Sequence, residues 1–465
     1  MSTPHSPVAP APAPSSPVAS RGGSWLKSWT PEDESFWRTT GNAIAWRTLT
    51  LTTITLVLSF ASWFAMSAAV VRLPGIGFKF TTSQLFWLTA MPGLAGGTLR
   101  IIHTFLIPIF GTRTVVSVAT LLKLIPCVGL ALAITNPGTP YWMFLLLAFL
   151  AGMGGGDFSS YMPSTSLFFP KRLQGTALGI QAGIGNFGVS LAQFLTPWII
   201  GFAAFGALGG AAQTFTKGDV SKPMWLQNAF WVYVPFLVVL GIACFLWLRS
   251  VPVRVSFKDQ LDIFKSKHTW FCTITYVMTF GSFAGLSAVF PLMIAKIYGK
   301  FPDAPDPLAF AFYGPLIGSV SRVIFGFVAD KTGGAILTQL CGVALIGLCT
   351  ALLMTGVLTP ESRDSFPLFV GLMLSVFFFT GIGNAATFRQ YPLIFKHSPR
   401  QGAGVLGWTG AIAAYGPFLV SVLMNASFEN SGSPGAFFVG AIAFYVIATA
   451  INWWYYARKG AEVPC

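Results

Sequence analysis

The chain has 465 residues, of which 54% are hydrophobic and 9% charged, and it carries a formal net charge of +14. Soluble domains usually carry about 25% charged residues, so a soluble fold is excluded and an all-α membrane protein is expected. The positive charge does not point to nucleic acid, because Lys and Arg gather in alternate loops between apolar runs.

Residues 1–24 are rich in Pro, Ala and Ser, and they read as a disordered tail without the apolar core of a signal peptide. Thr30-Pro31-Glu32-Asp33 then reads as a helix start, with Thr as N-cap and Pro at the first helical position. This short helix is expected along the membrane surface. Twelve apolar runs follow, each long enough to cross a hydrocarbon core of about 30 Å. They lie near 49–71, 85–110, 114–134, 141–169, 174–208, 229–249, 270–298, 308–329, 335–358, 366–395, 402–425 and 436–457. The linker 249–269 is the longest basic, polar interruption, and it separates bundles at 25–248 and 270–457, with a tail at 458–465. Basic residues concentrate on the side that carries both termini, so both termini are expected in the cytoplasm and the chain in the cell inner membrane. The six cysteines form no CxxC pair and five fall in apolar runs, where they read as small buried hydrophobes.

The two halves echo each other. Arg100 precedes Gly111 by eleven residues, and Arg322 precedes Gly333 by the same eleven. LGIQAGIGNFG, ending at Gly188, matches LGWTGAIAAYG, ending at Gly416. Two pseudo-symmetric six-helix bundles in parallel repeat describe a secondary transporter with its site at the midplane.

A charge within the bilayer costs a few kcal/mol and faces a cavity or a partner. The clearly ionisable residues well within the runs are Arg100, Lys123, Asp157, Arg322 and Arg389, with His103 besides. Arg100 and Arg322 are related by the repeat and are expected to meet across the central cavity. Two guanidiniums there need an anion between them, and their planar forks suit a planar oxyanion. Phe60, Phe158, Tyr276 and Phe280 are expected to wall this cavity, although position alone would not select four rings from 44 Phe and 11 Tyr. Glycines in spans five and eleven, Gly183, Gly185, Gly407 and Gly410 among them, permit close backbone approach. Asn186 brings a buried amide that needs a partner.

The stretch GFVADKTGG, with Gly326, Asp330 and Lys331, resembles the gating-loop motif of the major facilitator superfamily, in which an acid caps a neighbouring helix. Its counterpart PIFGTR lacks the acid. Over roughly residues 25–457 the chain resembles the NarK-type nitrate/nitrite porters of that superfamily. The resemblance is carried by GIQAGIGNFG, GWTGAIAAYG, TLR at Arg100, SR at Arg322 and TYVMTFGSF at Thr275–Phe283. It implies the major facilitator fold and alternating access. It also implies nitrate or nitrite bound by Arg100 and Arg322, walls of Phe60, Phe158 and Phe280, a hydrogen bond from Tyr276, and a lining of Asn186 and the signature glycines.

Four positions depart from the pattern of the exchanger-type members. Asp157 stands where Asn is usual and Arg389 where Gln is usual, while His103 and Lys123 replace uncharged residues. A proton symporter needs a titrating group beside the site, and Asp157, His103 and Arg389 are the candidates; Arg389 either forms a coupled pair with Asp157 or, seven residues before Lys396, serves as an anchor at the cytoplasmic end of its helix. The expected function is therefore nitrate uptake by proton symport, with nitrate/nitrite antiport as the alternative. The expected partners are the small anion, protons and the bilayer, with the chain acting as a monomer. No cofactor or metal is called for, and scattered histidines without a catalytic constellation argue against an enzyme. A nitrate sensor on a transporter fold would carry a sizeable cytoplasmic domain, which short tails do not provide.

Overall fold

A computed structural model describes residues 24–252 and 261–465; residues 1–23 of the expected tail and 253–260 of the linker lie outside them. The helices are α1 (Glu34–Arg72), α2 (82–110), α3 (112–135), α4 (Tyr141–Phe168), α5 (Lys171–Ile199) and α6 (Asn228–Trp247) in the first half. The second half contains α7 (Lys267–Tyr298), α8 (Pro307–Thr332), α9 (Gly334–Met354), α10 (Phe366–Ile394), α11 (399–431) and α12 (Gly435–Ala457). Ten apolar stretches are long enough to cross a membrane. One of them, Thr82–Thr135, is broken in two at Gly111, and the less apolar α5 adds another, giving twelve crossings among the described residues.

Lipid offers no hydrogen bonds to the backbone, so each span closes its own ladder. Hydroxyls inside the spans do the same locally. Thr48, Thr52, Thr55 and Ser59 each return a bond of 2.6–2.8 Å to the carbonyl four residues back along α1. A capping box of Thr81 and Gln84 opens α2, and Asp306 with Pro307 opens α8.

Gly111 and Gly333 show the repeat at backbone level. Their φ/ψ values are 76/158 and 89/143, a conformation that residues with a Cβ rarely adopt. Each turns the chain from the second helix of its half into the third. Packing repeats likewise: α1 on α5 and α2 on α4 in one half, α7 on α11 and α8 on α10 in the other. The halves meet along α2–α11 and α5–α8, which are again repeat-related.

Sequence and structure differ at several boundaries. The helix start is Asp33, whose carboxylate accepts from Ser35 and Phe36 backbone N–H, and not Thr30. The expected surface helix runs straight into α1 through a π-helical turn at Trp37–Gly41. Span five ends at Ile199, and the polar stretch beyond it forms a hairpin of β1 (Gln213–Lys217) and β2 (Val220–Met224). The stretch from Gly326 to Thr332 is helical, the last turns of α8, and only Gly333 leaves the helix.

The face bearing the α2–α3 and α8–α9 turns also bears both ends of the described chain: Ser24 and Leu26 bond Ser250 beside Gly111, and Ala335 N–H donates to the Cys465 carbonyl. On the opposite face the halves are bound together. Arg72 clasps Asp306 at 2.6 and 2.7 Å, Lys296 donates to Thr82, and Asn425 donates to Ser83. Deeper in, Gln193 donates to the Ser287 carbonyl and Ser190 to that of Phe312.

Candidate substrate site

Helices α5 and α8 touch where a Cβ on Gly183 would meet Val323, next to Arg322. One turn nearer the terminal face, Gly179 and Gly326 have open space before them, and so does Gly407 on α11. The halves thus part toward the terminal face below a closed seam, and the two arginines sit at the point of parting.

Arg100 is fully buried and ringed by aromatics. Its guanidinium carbon lies 4.7 Å from the Phe158 ring centroid, 5.2 Å from Phe280, 5.6 Å from Trp63 and 5.9 Å from Phe60. Such ring faces attract a desolvated cation. Phe60 and Phe158 stack at 6.2 Å, and Tyr276 stacks on Phe280 at 5.5 Å with an interplanar angle of 8°. From the other half, Arg322 lies 4.8 Å from the Phe388 centroid, and Phe388 in turn packs on Tyr276 and Phe158. The residues expected at the cavity therefore do come together.

The two forks are not equivalent. Arg100 Nε donates to the Gly155 carbonyl at 2.7 Å, and Nη1 donates across the seam to the Gly410 carbonyl at 2.6 Å. Only Arg100 Nη2 is left without a partner among the described residues, whereas both Nη1 and Nη2 of Arg322 are left so. The Tyr276 hydroxyl lies beside Arg322 and in the electrostatic field of both guanidiniums, and its oxygen has no close hydrogen-bond partner among the described residues. Asn186 is buried with both amide atoms unpaired among the described residues. Buried donors almost always find acceptors, and here at least four face one aromatic chamber.

The glycines divide. Gly410 supplies the carbonyl and lies 3.8 Å, by its virtual Cβ, from Arg100 Nη1; Gly183 serves the α5–α8 seam; Gly185 packs on Leu56; Gly407 faces the open side.

The charges singled out for proton coupling also separate. Asp157 does not pair with Arg389. Its Oδ2 takes Lys123 Nζ, the Ser59 hydroxyl at 2.6 Å and the Tyr161 hydroxyl at 3.2 Å, all within the first half. His103 Nδ1 lies 2.9 Å from the Ser160 hydroxyl and 3.9 Å from Asp157 Oδ1. Arg389 is 40% exposed and pairs with Asp330 at 3.1 Å, which makes it an end-of-helix anchor. That pairing also occupies the gating acid: Asp330 caps no helix among the described residues, and Lys331 is exposed.

Comparison with known proteins places the chain in a family. Residues 51–390 match the Major Facilitator Superfamily profile. The chain is 59% identical over 449 residues to the "Probable nitrate/nitrite antiporter NarK2" of Thermus thermophilus, covering 96% of this chain and all of that one. It is 36% identical to the "Nitrate/nitrite transporter NarU" of Escherichia coli strain K12, covering 93% and 96%. This chain belongs to the NarK-type porters of the major facilitator superfamily. The fold is shared more widely: a bacterial homologue of the human lysosomal transporter Spinster, crystallised inward-facing and unoccupied, superposes with a TM-score of 0.64 at 16% identity, covering 88% and 96%. As a superfamily transporter the chain is not an enzyme.

Sequence reasoning about this NarK-type porter passed over two rings at the site and one buried amide on the helix that carries the second of them. Trp63 stands one turn beyond Phe60 on α1, and Phe388 directly precedes Arg389 on α10. Asn384, one turn before Phe388, is fully buried with both amide atoms unpaired among the described residues. Its signal was present: Gly381-Ile382-Gly383-Asn384 repeats Gly154-Gly155-Gly156-Asp157 at a spacing of 227 residues, close to the 222 that relates the arginines.

Proposed function

We propose that the chain carries nitrate and nitrite across the cytoplasmic membrane by alternating access, exchanging one anion for the other. One observation carries the reading: two repeat-related guanidiniums in a buried aromatic chamber keep three amine groups unpaired among the described residues, Arg100 Nη2 and Arg322 Nη1 and Nη2. A flat, delocalised, weakly hydrated anion suits ring walls and guanidinium edges at once. With both termini cytoplasmic, the open side is the cytoplasmic one.

Exchange is favoured over the proton symport expected from the sequence. The carboxylate that symport would use is held by Lys123, and Arg389 is held by Asp330, so neither stands as a free charge at the chamber. An empty chamber holds two uncompensated cations, and bringing the halves together over them is costly. Return therefore requires an anion. The names of the relatives, a probable nitrate/nitrite antiporter and a nitrate/nitrite transporter, support the same reading.

Proteoliposomes loaded with nitrite and given labelled nitrate outside test it. The expected result is rapid uptake stimulated by internal nitrite and indifferent to an imposed pH gradient. Uptake that needs the gradient, and proceeds into nitrite-free vesicles, restores symport. Asp157 Oδ1, unpaired among the described residues and 3.9 Å from His103, is where symport would take its proton.

A further inference from the structure

The exchange reading leaves a buried group of charges unused, and its connections lead to Arg100. Helix α4 is interrupted near its middle: the helical segments are Tyr141–Ala151, Met153–Gly156 and Phe158–Phe168, with Gly152 and Asp157 at the breaks. The turn is tightened, with Gly155 N–H bonded to the Gly152 carbonyl at 2.9 Å. It is the Gly155 carbonyl that receives Arg100 Nε. Side chains are not admitted here, because a Cβ on Gly154 would strike the Ser59 carbonyl and one on Gly155 would strike Trp63 and Gly96.

Asp157 ends this turn and ties it to three places. Ser59 reaches it from α1, Lys123 from α3, and Tyr161 from one turn further along α4. Lys123 is itself fixed by a second bond to the Ala119 carbonyl at 2.8 Å. His103, one turn beyond Arg100 on α2, holds Ser160 of α4 through its ring and its carbonyl. The carbonyl that aims Arg100 thus sits on a turn fastened to α1, α2 and α3.

A buried ion pair adds little stability over well-packed apolar residues of equal volume, so stability alone does not account for Lys123 and Asp157. A fork that reads an anion must be held within about 0.5 Å of its productive geometry. We propose that Asp157 and Lys123 form a positioning pair: they fix the Gly152–Asp157 turn so that its carbonyl holds Arg100 with one amine presented to the anion. The proposal rests on the reading of Arg100 and Arg322 as the anion site.

The test uses the full chain in proteoliposomes, with labelled nitrate counterflow measured for the unaltered protein, Asp157→Asn, Lys123→Met and the double variant. Each single variant leaves one partner without its counter-charge, and either may fail to assemble. The double variant is charge-neutral and keeps the assay informative. The expected result is that the double variant assembles and turns over at near-normal maximal rate, with a KM for nitrate raised about tenfold, the worth of one charge-assisted hydrogen bond. A double variant with unaltered KM overturns the proposal and leaves the pair a packing device. An unaltered KM with loss of pH-gradient-driven uptake also overturns it, in favour of proton coupling. If the unaltered chain exchanges neither nitrate nor nitrite, the function reading falls and the positioning role falls with it.

Discussion

The two halves of this porter share a backbone plan and divide the chemistry unequally. In the first half the arginine is tethered: two of its donors are spent on carbonyls, one on α4 and one across the seam on α11. In the second half Arg322 rests on Phe388 with both terminal amines unpaired among the described residues. The repeat extends to the neighbouring position on the fourth helix of each half, where the first half has Asp157 with Lys123 and the second has the neutral, unpaired Asn384. The lesson is that pseudo-symmetry fixes where the two cations stand and does not make their duties equal. Arg322 is the open fork. Arg100 is a bridge between the halves that, on the proposed reading, keeps one amine for the anion.

The harshest way to break this contrast is to give the second half the acid of the first without its lysine. Asn384→Asp places an unmatched carboxylate one turn from the ring that supports Arg322. Nitrate affinity, measured by calorimetry on purified protein, is expected to fall about a thousandfold, since the new carboxylate compensates the cation that the anion needs and would cost roughly two charge-assisted hydrogen bonds at about 2 kcal/mol each. Arg322→Lys comes next: losing a two-donor edge should weaken binding about a hundredfold, at roughly 1.5 kcal/mol for each charge-assisted bond. Arg100→Lys should weaken it only about tenfold, because one amine faces the anion, while the exchange rate drops through loss of the bond to Gly410. Equal affinity losses in the two lysine variants would show that the forks are equivalent after all.

Smaller effects belong to the ends of the molecule. Arg72→Gln removes the clasp to Asp306 that shuts the face opposite the termini. As a partly exposed pair it is worth about 1 kcal/mol, so spin labels across that face should report a population shift of about fivefold toward opening. At the terminal face, a hydrogen bond from Lys267 holds the Glu462 carboxyl below its ordinary value. A depressed carboxyl contributes its contact above the unfolded value of about 4.3 and loses it as pH falls through the folded value. The protection of residues 458–465 against hydrogen exchange, taken relative to the intrinsic rate at each pH, should therefore hold down to about pH 5 and fall only in stronger acid.

Much of this was legible in the residues. Arg100 and Arg322 stood out because an apolar run makes a cation conspicuous, and their shared eleven-residue spacing to a glycine exposed the repeat. The aromatic walls were legible only through resemblance, and Trp63 and Phe388 escaped because rings are common in every span. Arg100's tethers had no signal of their own, since every residue carries a backbone carbonyl and nothing in the sequence marks those of Gly155 and Gly410 as the acceptors. Lys123 and Asp157 are 34 residues apart on different helices, and a one-dimensional reading could see two costly charges without seeing that each cancels the other. Arg389 stayed ambiguous for the opposite reason: its depth in the membrane depends on where α10 ends, and its side chain reaches the exposed Asp330.

The unpaired arginines have an electrical consequence. An empty chamber carries two positive charges, and a loaded one carries one. A charge moving across a membrane held at 100 mV gains or loses about 2.3 kcal/mol. When one monovalent anion leaves and another returns, the protein carries the same charge in both directions, and the potential cancels over the cycle. Such a carrier would be driven by the two anion gradients alone, even in a strongly energised membrane.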